Sequence, residues 1–250
     1  MRASADAGGC FPTGRHYPGI AHLIRLQARG TAEEFRADTA MAELTFVSID
    51  VEATGLDPNE DRVIEVACVV FSRPAGGGDM LIERHGWLIN PGRPISEESR
   101  AVHNISDDDV RDAPPFAVVA AQILDVLARG VPLAYNAEFD RAFLLAEFAR
   151  ARAERSDVPA LRKSVDWLDP LTWARELQQA EKSKSLSAVA ERLGIEAGTA
   201  HRAVDDAHTA GHVHLHFLRD ARVPTSYAAF VQEQRRLARV HKDERQFWRS

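Results

Sequence analysis

Cysteine is scarce in this sequence, with two residues in a chain of 250. Two cysteines cannot build a disulfide framework or a cysteine-rich zinc cluster, which excludes the small disulfide-stapled secreted proteins and the zinc fingers. No apolar run reaches the roughly 18 residues that a membrane span requires. The N-terminal segment also lacks the continuous apolar stretch of a secretory signal. We therefore expect a cytoplasmic protein that does not associate with membranes.

An excess of basic residues is also missing. The chain has 31 Lys and Arg residues against 37 Asp and Glu residues, which gives a formal net charge of −6. Proteins that grip nucleic-acid duplexes without sequence preference usually carry a basic balance, so the total argues against that mode of binding. The charge is unevenly spread, however, because residues 219–250 hold eight basic and four acidic side chains. The acidic excess therefore lies in the body of the chain.

The chain divides into three parts by composition. Residues 1–40 are rich in turn-forming residues, and we interpret them as an N-terminal extension. They are either a disordered or partner-docking tail, or a segment upstream of a natural start at Met41. Residues 41–220 form the predicted main domain, and residues 221–250 form a basic C-terminal helical tail. This tail either packs on the domain, contacts nucleic acid or a partner, or is a solvated surface helix.

Five segments have the composition of strands. The first three are joined by short links, which is typical of an antiparallel meander. The second is almost wholly apolar, as expected of a central strand with both faces buried. The predicted strands lie at 44–52, 62–72, 81–90, 131–135 and 164–168.

Helical periodicity begins after the third strand and alternates with the last two. One stripe of apolar residues runs from Phe116 to Leu127, and Gly130 ends the helix that it predicts. Strands followed by alternating helices and strands predict an α/β domain with a mixed five-stranded sheet flanked by helices. The predicted helices lie at 115–129, 137–153, about 170–181, 186–193 and 202–218, with a further helix after Pro224.

Two acidic residues stand at the end of the first predicted strand. Asp50 and Glu52 are two positions apart, so the alternation of a strand places both carboxylates on one face. Like charges on one face repel each other unless a cation lies between them. The pair alone is weak evidence, because it also fits a solvated strand end.

Two further acidic segments follow later in the chain. Asp140 lies in the first turn of one predicted helix, and Asp206 lies near the start of another. His201 precedes Asp206 by five residues, with Asp205 between them. Each segment alone is explained by acids that complement a helix N-terminus. Their significance comes from their combination.

Three motifs occur in a fixed order: DVEATG at 50–55, NAEFD at 136–140 and HRAVDD at 201–206. Together they resemble the DEDDh family of 3′→5′ exonucleases, most closely the DNA polymerase III epsilon-subunit (DnaQ-like) type. The resemblance covers about residues 44–218 and extends to the segments INPGRPISEESRAVHNISDDDV and KSLSAVAERLGI. Tyr135 departs from the pattern, because many members have histidine there, but we do not expect this to affect activity. The resemblance implies an RNase H-like (ribonuclease H-like) fold.

The resemblance also assigns roles to five residues. It implies that Asp50, Glu52, Asp140 and Asp206 hold two divalent metal ions and that His201 is the general base. Asp206 is preferred to its acidic neighbour because the family spacing is five residues after the histidine. Four carboxylates without a cysteine form an oxygen-rich site, which suits Mg²⁺, with Mn²⁺ as a substitute, better than Zn²⁺.

Five further residues are predicted to contact the substrate. Thr54 and Gly55 would offer hydroxyl and backbone contacts to a terminal nucleotide, because glycine permits close approach. By the resemblance, Leu56 is the apolar residue that packs against the terminal bases. Phe139 is either a second apolar wall or a core residue of its helix. His103 either lines the pocket edge or caps a turn.

These observations predict a metal-dependent 3′→5′ exonuclease that hydrolyses single-stranded or frayed DNA 3′ ends to 5′-mononucleotides, in proofreading or repair. The main alternative is an RNA-directed exonuclease of the same fold, similar to oligoribonucleases. A non-catalytic nucleic-acid-binding module is a third interpretation. The predicted partner is a nucleic-acid 3′ end, with DNA favoured over RNA. A DNA polymerase subunit and a homodimer both stay open as protein assemblies.

Overall fold

The computed structural model describes residues 36–74, 78–153, 155–198 and 202–247. Most of the predicted N-terminal extension, residues 1–35, lies outside these ranges. Within them the chain forms one sheet with helices on both faces. In this described part, no helix combines the length and the apolar character that crossing a membrane requires.

The sheet begins as the predicted antiparallel meander. Strands β1 (Phe46–Ala53), β2 (Val63–Ser72) and β3 (Leu81–Leu88) pair antiparallel in sequence order. β2 is buried along nearly its whole length, which explains its continuous apolar sequence. Strand β4 (Val131–Leu133) runs parallel to β1, so the order among the described residues is β3-β2-β1-β4.

The helices start where the sequence places capping residues. Ser96, Ser106, Asp169 and Ser185 each accept a hydrogen bond from a backbone N–H group in the first turn of the helix that follows. The helices are α1 (Glu97–His103), α2 (Asp107–Val110), α3 (Phe116–Leu127), α4 (Ala137–Ala151), α5 (Pro170–Leu177), α6 (Leu186–Arg192), α7 (Ala203–Phe217) and α8 (Tyr227–Phe247).

The prediction of a fifth strand at 164–168 is wrong. Among the described residues the sheet has four strands, and this segment contributes only an isolated parallel bridge between Leu168 and Leu133. Leu168 alone bonds to β4, donating its N–H to the carbonyl oxygen of Pro132 and accepting from the N–H of Ala134. The ladder does not extend towards the start of the segment, because Pro132 has no N–H group to donate. Pro170 then starts α5 directly, so the extended segment ends before a strand can form.

The alternation of β1 decides which face of the sheet carries the acids. Val47, Ile49 and Val51 are buried in the core that α3 and α4 cover. The intervening positions therefore point to the opposite face, which α7 covers. Asp50 and Glu52 occupy such positions and meet a side chain of α7 there, as the alternation predicts.

The C-terminal helix α8 packs on the same face as α7. Tyr227, Phe230 and Leu237 are at most 1% exposed, and the Phe230 ring lies 4.9 Å from the ring of Trp173 on α5. The N–H of Tyr227 donates to the carbonyl oxygen of Thr39, which ties the start of α8 to the segment before β1. Of the three interpretations of the basic tail, these contacts favour packing on the domain. The domain boundaries at residues 40 and 220 stay predictions.

A buried histidine on α7 makes the fold sensitive to acid. The His214 ring lies 5.1 Å from the Phe46 ring and 5.6 Å from the Phe230 ring, and burial lowers the pKa of His214 to about 3. In the unfolded chain the same group titrates near 6.5. Between about pH 6.5 and pH 3, His214 is therefore protonated in the unfolded state and neutral in the folded state.

We predict that the titration of His214 lowers the free energy of unfolding by up to about 1.4 kcal/mol for each pH unit below 6.5. His214→Leu should flatten the fall between pH 6.5 and pH 4.5, measured by urea denaturation. His216→Gln, a substitution on the same helix at a half-buried position, is the matched control. An unchanged slope in the His214 variant would contradict the assignment.

Candidate active site

Three carboxylates meet between the sheet and α7. Asp50 and Glu52 come from β1 and Asp206 comes from the first turn of α7, and their nearest oxygens all lie within 4.8 Å of one another. All three side chains are half-buried. Asp206 lies more than 150 positions after Asp50 and Glu52 in the sequence, so the packing of α7 on β1 is what assembles the group.

Asp140 stands beside this group on α4. Its side chain is 3% exposed, and its Oδ1 accepts a hydrogen bond from the N–H of Val51 at 3.0 Å. The strand residue between Asp50 and Glu52 therefore holds the fourth carboxylate next to the other three. The structure brings together all four acids that the sequence assigned to a metal site. Their roles as ligands stay predictions.

Burial and mutual repulsion make these carboxylates resist ionisation. Burial, reinforced by the charges of Asp140, Glu52 and Asp206, raises the pKa of Asp50 well above its ordinary value. Burial and the charge of Asp206 raise the pKa of Glu52 to about 8. The pKa of Asp140 also rises to about 8 through burial, although the hydrogen bond from Val51 opposes the rise. Such shifts are typical of acids gathered for a function.

A divalent cation would relieve this repulsion. The group consists of carboxylate oxygens, which are the ligands of hard cations, and an uncompensated set of buried charges is costly. The distances among the three oxygens allow one ion to contact them together. The site therefore fits the divalent metal ions that the sequence predicts.

Glu65 is a further acid of the site that the sequence reasoning missed. It lies on β2 opposite Glu52 and is 3% exposed. Its carboxylate pairs with Arg202 at 3.2 Å and accepts from the N–H of Ala203, the first residue of α7. Glu65 thus fixes the start of the helix that carries Asp206. An acid in an otherwise apolar central strand was the signal that could have identified it.

Asp169 is a second missed residue. Its carboxylate caps α5 by accepting from Leu171, and it also accepts from the N–H of Asn136 at 3.1 Å. Asn136 adopts the left-handed conformation, with φ of 74°, directly before α4. Asp169 therefore holds the turn that delivers Asp140 to the site. The Asp-Pro pair at a helix start was the available signal, but only the fold shows the contact with Asn136.

Comparisons with known proteins identify the family of the chain. The family model described as "Exonuclease" matches residues 47–213, about two thirds of the chain. The chain belongs to this exonuclease family. Together with the relatives and structures below, the match supports the resemblance to the DEDD-type family of 3′→5′ exonucleases.

Curated relatives of this exonuclease include replication enzymes. It is 32% identical over 181 residues to DNA polymerase III PolC-type of Thermotoga maritima, which is 72% of this chain and 12% of that protein. It is 30% identical over 220 residues to the PolC-type enzyme of Streptococcus pyogenes, which is 85% of this chain and 14% of that protein. The chain therefore spans about one eighth of the length of these relatives.

Solved structures confirm the RNase H-like fold of the exonuclease. E. coli Exonuclease I in complex with a dT13 oligonucleotide has a TM-score of 0.58 at 20% identity, over 72% of this chain and 41% of that chain. Exonuclease X in complex with 5′ overhanging duplex DNA has a TM-score of 0.53 at 22% identity, over 72% of this chain and 95% of that chain.

The loop after β1 carries three of the predicted substrate contacts of this exonuclease. The Thr54 hydroxyl is buried and donates to Oδ1 of Asp61 at 3.1 Å. A Cβ atom on Gly55 would lie 2.3 Å from an Asp61 oxygen, so a side chain at this position would displace the Asp61 carboxylate. Leu56 is 85% exposed and projects from the loop. Of Thr54, Gly55 and Leu56, Leu56 is therefore the residue most accessible to a ligand.

The other predicted contacts lie in packed surroundings. The Phe139 ring is half-buried and packs 4.7 Å from the Phe143 ring. His103 is 2% exposed at the end of α1, and its Nδ1 accepts from the N–H of Ile105. These contacts match the core and turn alternatives, while the substrate roles stay predictions.

His201 lies outside the described residues. The Tyr135 hydroxyl, at the position that departs from the family pattern, donates to the Lys184 carbonyl oxygen at 2.6 Å.

The raised pKa values predict how metal-free protein responds to pH. Glu52 titrates near 4.5 when unfolded and near 8 when folded without a cation, so the folded state binds a proton that the unfolded state releases. Stability is therefore greatest below about pH 4.5 for this group and is lost as pH rises through 8. We predict that the melting temperature in EDTA falls between pH 7 and pH 9, above the titration of the histidines.

Excess Mg²⁺ should remove most of that fall, and Glu52→Gln should flatten it in EDTA. Differential scanning calorimetry at matched ionic strength measures both effects. If the melting temperature in EDTA does not change with pH, the pKa values of the carboxylates are not raised by folding as described.

Proposed function

We propose that this chain is a metal-dependent exonuclease that removes 5′-mononucleotides from single-stranded or frayed DNA 3′ ends, in proofreading or repair. The observation that carries the proposal is the group formed by Asp50, Glu52 and Asp206, with Asp140 beside it. No simpler structural role accounts for these four acids, because their proximity costs stability. The proposed location is the cytoplasm.

Asp50, Glu52 and Asp206, with Asp140 at the edge, would hold two divalent ions, with Mg²⁺ favoured and Mn²⁺ as a substitute. Bound there, such ions activate water and neutralise charge on a phosphodiester and its leaving oxygen. The oxygen-rich ligand set supports Mg²⁺ over Zn²⁺. One structural neighbour, E. coli Exonuclease I, is described in a zinc-bound form, so the choice of metal has to be measured.

The chain's own residues supply the remaining parts of the reaction. We propose His201 as the general base that takes the proton of the attacking water, because histidine titrates near neutral pH. Asp140 would keep its position through the Val51 hydrogen bond. Leu56 would pack against the terminal bases, and Thr54 and Gly55 would offer hydroxyl and backbone contacts to the terminal nucleotide.

DNA is favoured over RNA as the substrate. The curated relatives are named as DNA polymerases, and two structural neighbours are described in complexes with DNA. An RNA-directed enzyme of the same fold is the alternative, and a non-catalytic module is disfavoured by the intact carboxylate group. A DNA polymerase subunit and a homodimer are the two assemblies that we propose to test.

Loss of one central carboxylate tests the reaction. We predict that Asp50→Ala and Asp206→Ala each reduce Mg²⁺-dependent release of mononucleotides by about 10³-fold or more, since metal-ion catalysis supplies several kcal/mol. Product release from a 3′-labelled oligonucleotide measures the effect. Asp205→Asn is the matched control, because Asp205 adjoins Asp206 but pairs with Arg84. Full activity of purified Asp50→Ala protein would refute the proposed site.

A direct competition decides the substrate. We predict that the specificity constant for a single-stranded DNA 10-mer exceeds that for the RNA of the same sequence. Both should be measured at equal Mg²⁺ concentration with identical 3′ labels. A clear preference for RNA, above all for a dinucleotide, would replace the DNA assignment with the RNA alternative and leave the metal site intact.

Asp61 provides a test of how the loop after β1 is held. Its carboxylate accepts from the Thr54 hydroxyl and from the N–H of Asp57, which closes the turn that presents Leu56. We predict that Asp61→Ala lowers the specificity constant for oligonucleotides about tenfold, because the loss of two hydrogen bonds loosens the turn.

Hydrolysis of a small chromogenic phosphodiester without a base, which uses the carboxylate group and His201 but offers nothing for Leu56 to pack against, should change little in the same variant. Glu60→Gln, at an exposed position of the same loop, is the control. Equal losses on both substrates would show that Asp61 supports the whole fold rather than the turn.

A further inference from the structure

Two histidines on α7 face each other one helical turn apart. His208 and His212 are four residues apart, which places their side chains on one side of the helix. Their Nε2 atoms are 3.1 Å apart, and both rings are half-buried, so solvent reaches them. The predicted function of the chain uses neither residue.

A buried phenylalanine fixes the orientation of both rings. The Phe71 ring stacks on His208 with a centroid distance of 6.1 Å and meets His212 edge-on at 5.5 Å. Gly211 allows this approach, because a Cβ atom there would lie 2.2 Å from the Phe71 ring. Phe71 is fully buried and stacks on Phe46 at 4.8 Å. The two imidazoles are therefore held by the core rather than free to rotate.

The separation of the two nitrogens matches a shared metal ion. Imidazole nitrogens bind Zn²⁺ at about 2.0–2.1 Å, and tetrahedral to octahedral bond angles then place two such nitrogens about 2.9–3.4 Å apart. The observed 3.1 Å lies inside that range. Histidines at i and i+4 on one helix face are a known way to present two nitrogens to one metal. Two protein ligands leave the remaining positions of the ion to water.

We propose that His208 and His212 form a second metal site, which takes a borderline transition-metal ion of the Zn²⁺, Ni²⁺ or Cu²⁺ class. Imidazole selects this class over Mg²⁺, so the ligand chemistry differs from that of the carboxylate group.

The pair also lies apart from the carboxylate group. Asp206 precedes His208 by two residues on α7, and side chains at that spacing do not face each other on a helix. The rings contact Phe71, which pairs with Phe46 at the start of β1, whereas Asp50 and Glu52 lie towards its end. A metal bound by the two histidines would therefore be a separate ion.

The charges around the pair are balanced. Arg84 on β3 and Asp205 on α7 flank the histidines and pair with each other at 3.5 Å. The positive charge of Arg84 is thus partly neutralised beside the site. A bound ion would connect two successive turns of α7, immediately after the turn that carries Asp206. We therefore expect it to stabilise the helix.

The test is a titration of the full-length, untagged protein with NiCl₂ by isothermal titration calorimetry, with excess Mg²⁺ present to occupy the carboxylate group. Wild-type protein should show a Ni²⁺ site that His208→Gln and His212→Gln each weaken at least tenfold. Ni²⁺ should also raise the melting temperature of the wild type by about 2–4 °C and leave both variants unchanged.

His216→Gln is the matched control, because His216 continues the same i, i+4 series but has no place in the 3.1 Å contact. It should bind Ni²⁺ as the wild type does. Equal affinity in the wild type, His208→Gln and His212→Gln would overturn the proposal. The absence of binding in the wild type would also overturn it, and the contact would then be a hydrogen bond between two neutral imidazoles. Both histidine variants are needed, so that a folding defect in one does not decide the result.

Discussion

Repulsion among the carboxylates at the end of β1 is the constraint that the rest of the site is arranged around. Asp50 and Glu52 cannot avoid each other, because the strand places them on one face, and α7 adds Asp206 to the same space. Two hydrogen bonds from backbone N–H groups keep the carboxylates from moving apart. The Val51 N–H holds Asp140, and Glu65 holds the start of α7. The fold is thus complementary to a cation and strained without one.

Local patterns in the sequence were sufficient to predict the scaffold. Strand-forming composition located β1 to β3, and helical periodicity located α3, α4 and α7, because both signals arise within a few residues. The fifth strand failed for the opposite reason. Whether 164–168 extends the sheet depends on its partner strand, because Pro132, more than 30 residues earlier, has no N–H group for a ladder beyond Leu168.

The same distinction separates the acids that the sequence identified from those it missed. Asp50, Glu52, Asp140 and Asp206 stand in short motifs, so the resemblance could point to them. Glu65 acts through Arg202 and Ala203, 137 and 138 residues later in the chain. Its contribution appears only when β2 and α7 are packed together. Asp61 lies close to Thr54 in sequence, but its importance follows from the way its carboxylate closes over Gly55.

The exposed Leu56 has a thermodynamic consequence for binding. A flexible loop loses conformational freedom when a ligand orders it, and that lost entropy reduces the affinity. Here Arg150 donates to the carbonyl oxygen of Asn59, Arg93 donates to that of Glu60, and Asp61 closes the turn, so the freedom is already lost on folding. An apolar surface brought against Leu56 therefore gains its hydrophobic free energy with little ordering of the protein to offset it. The loop is therefore preorganised for binding and does not need to close over a ligand.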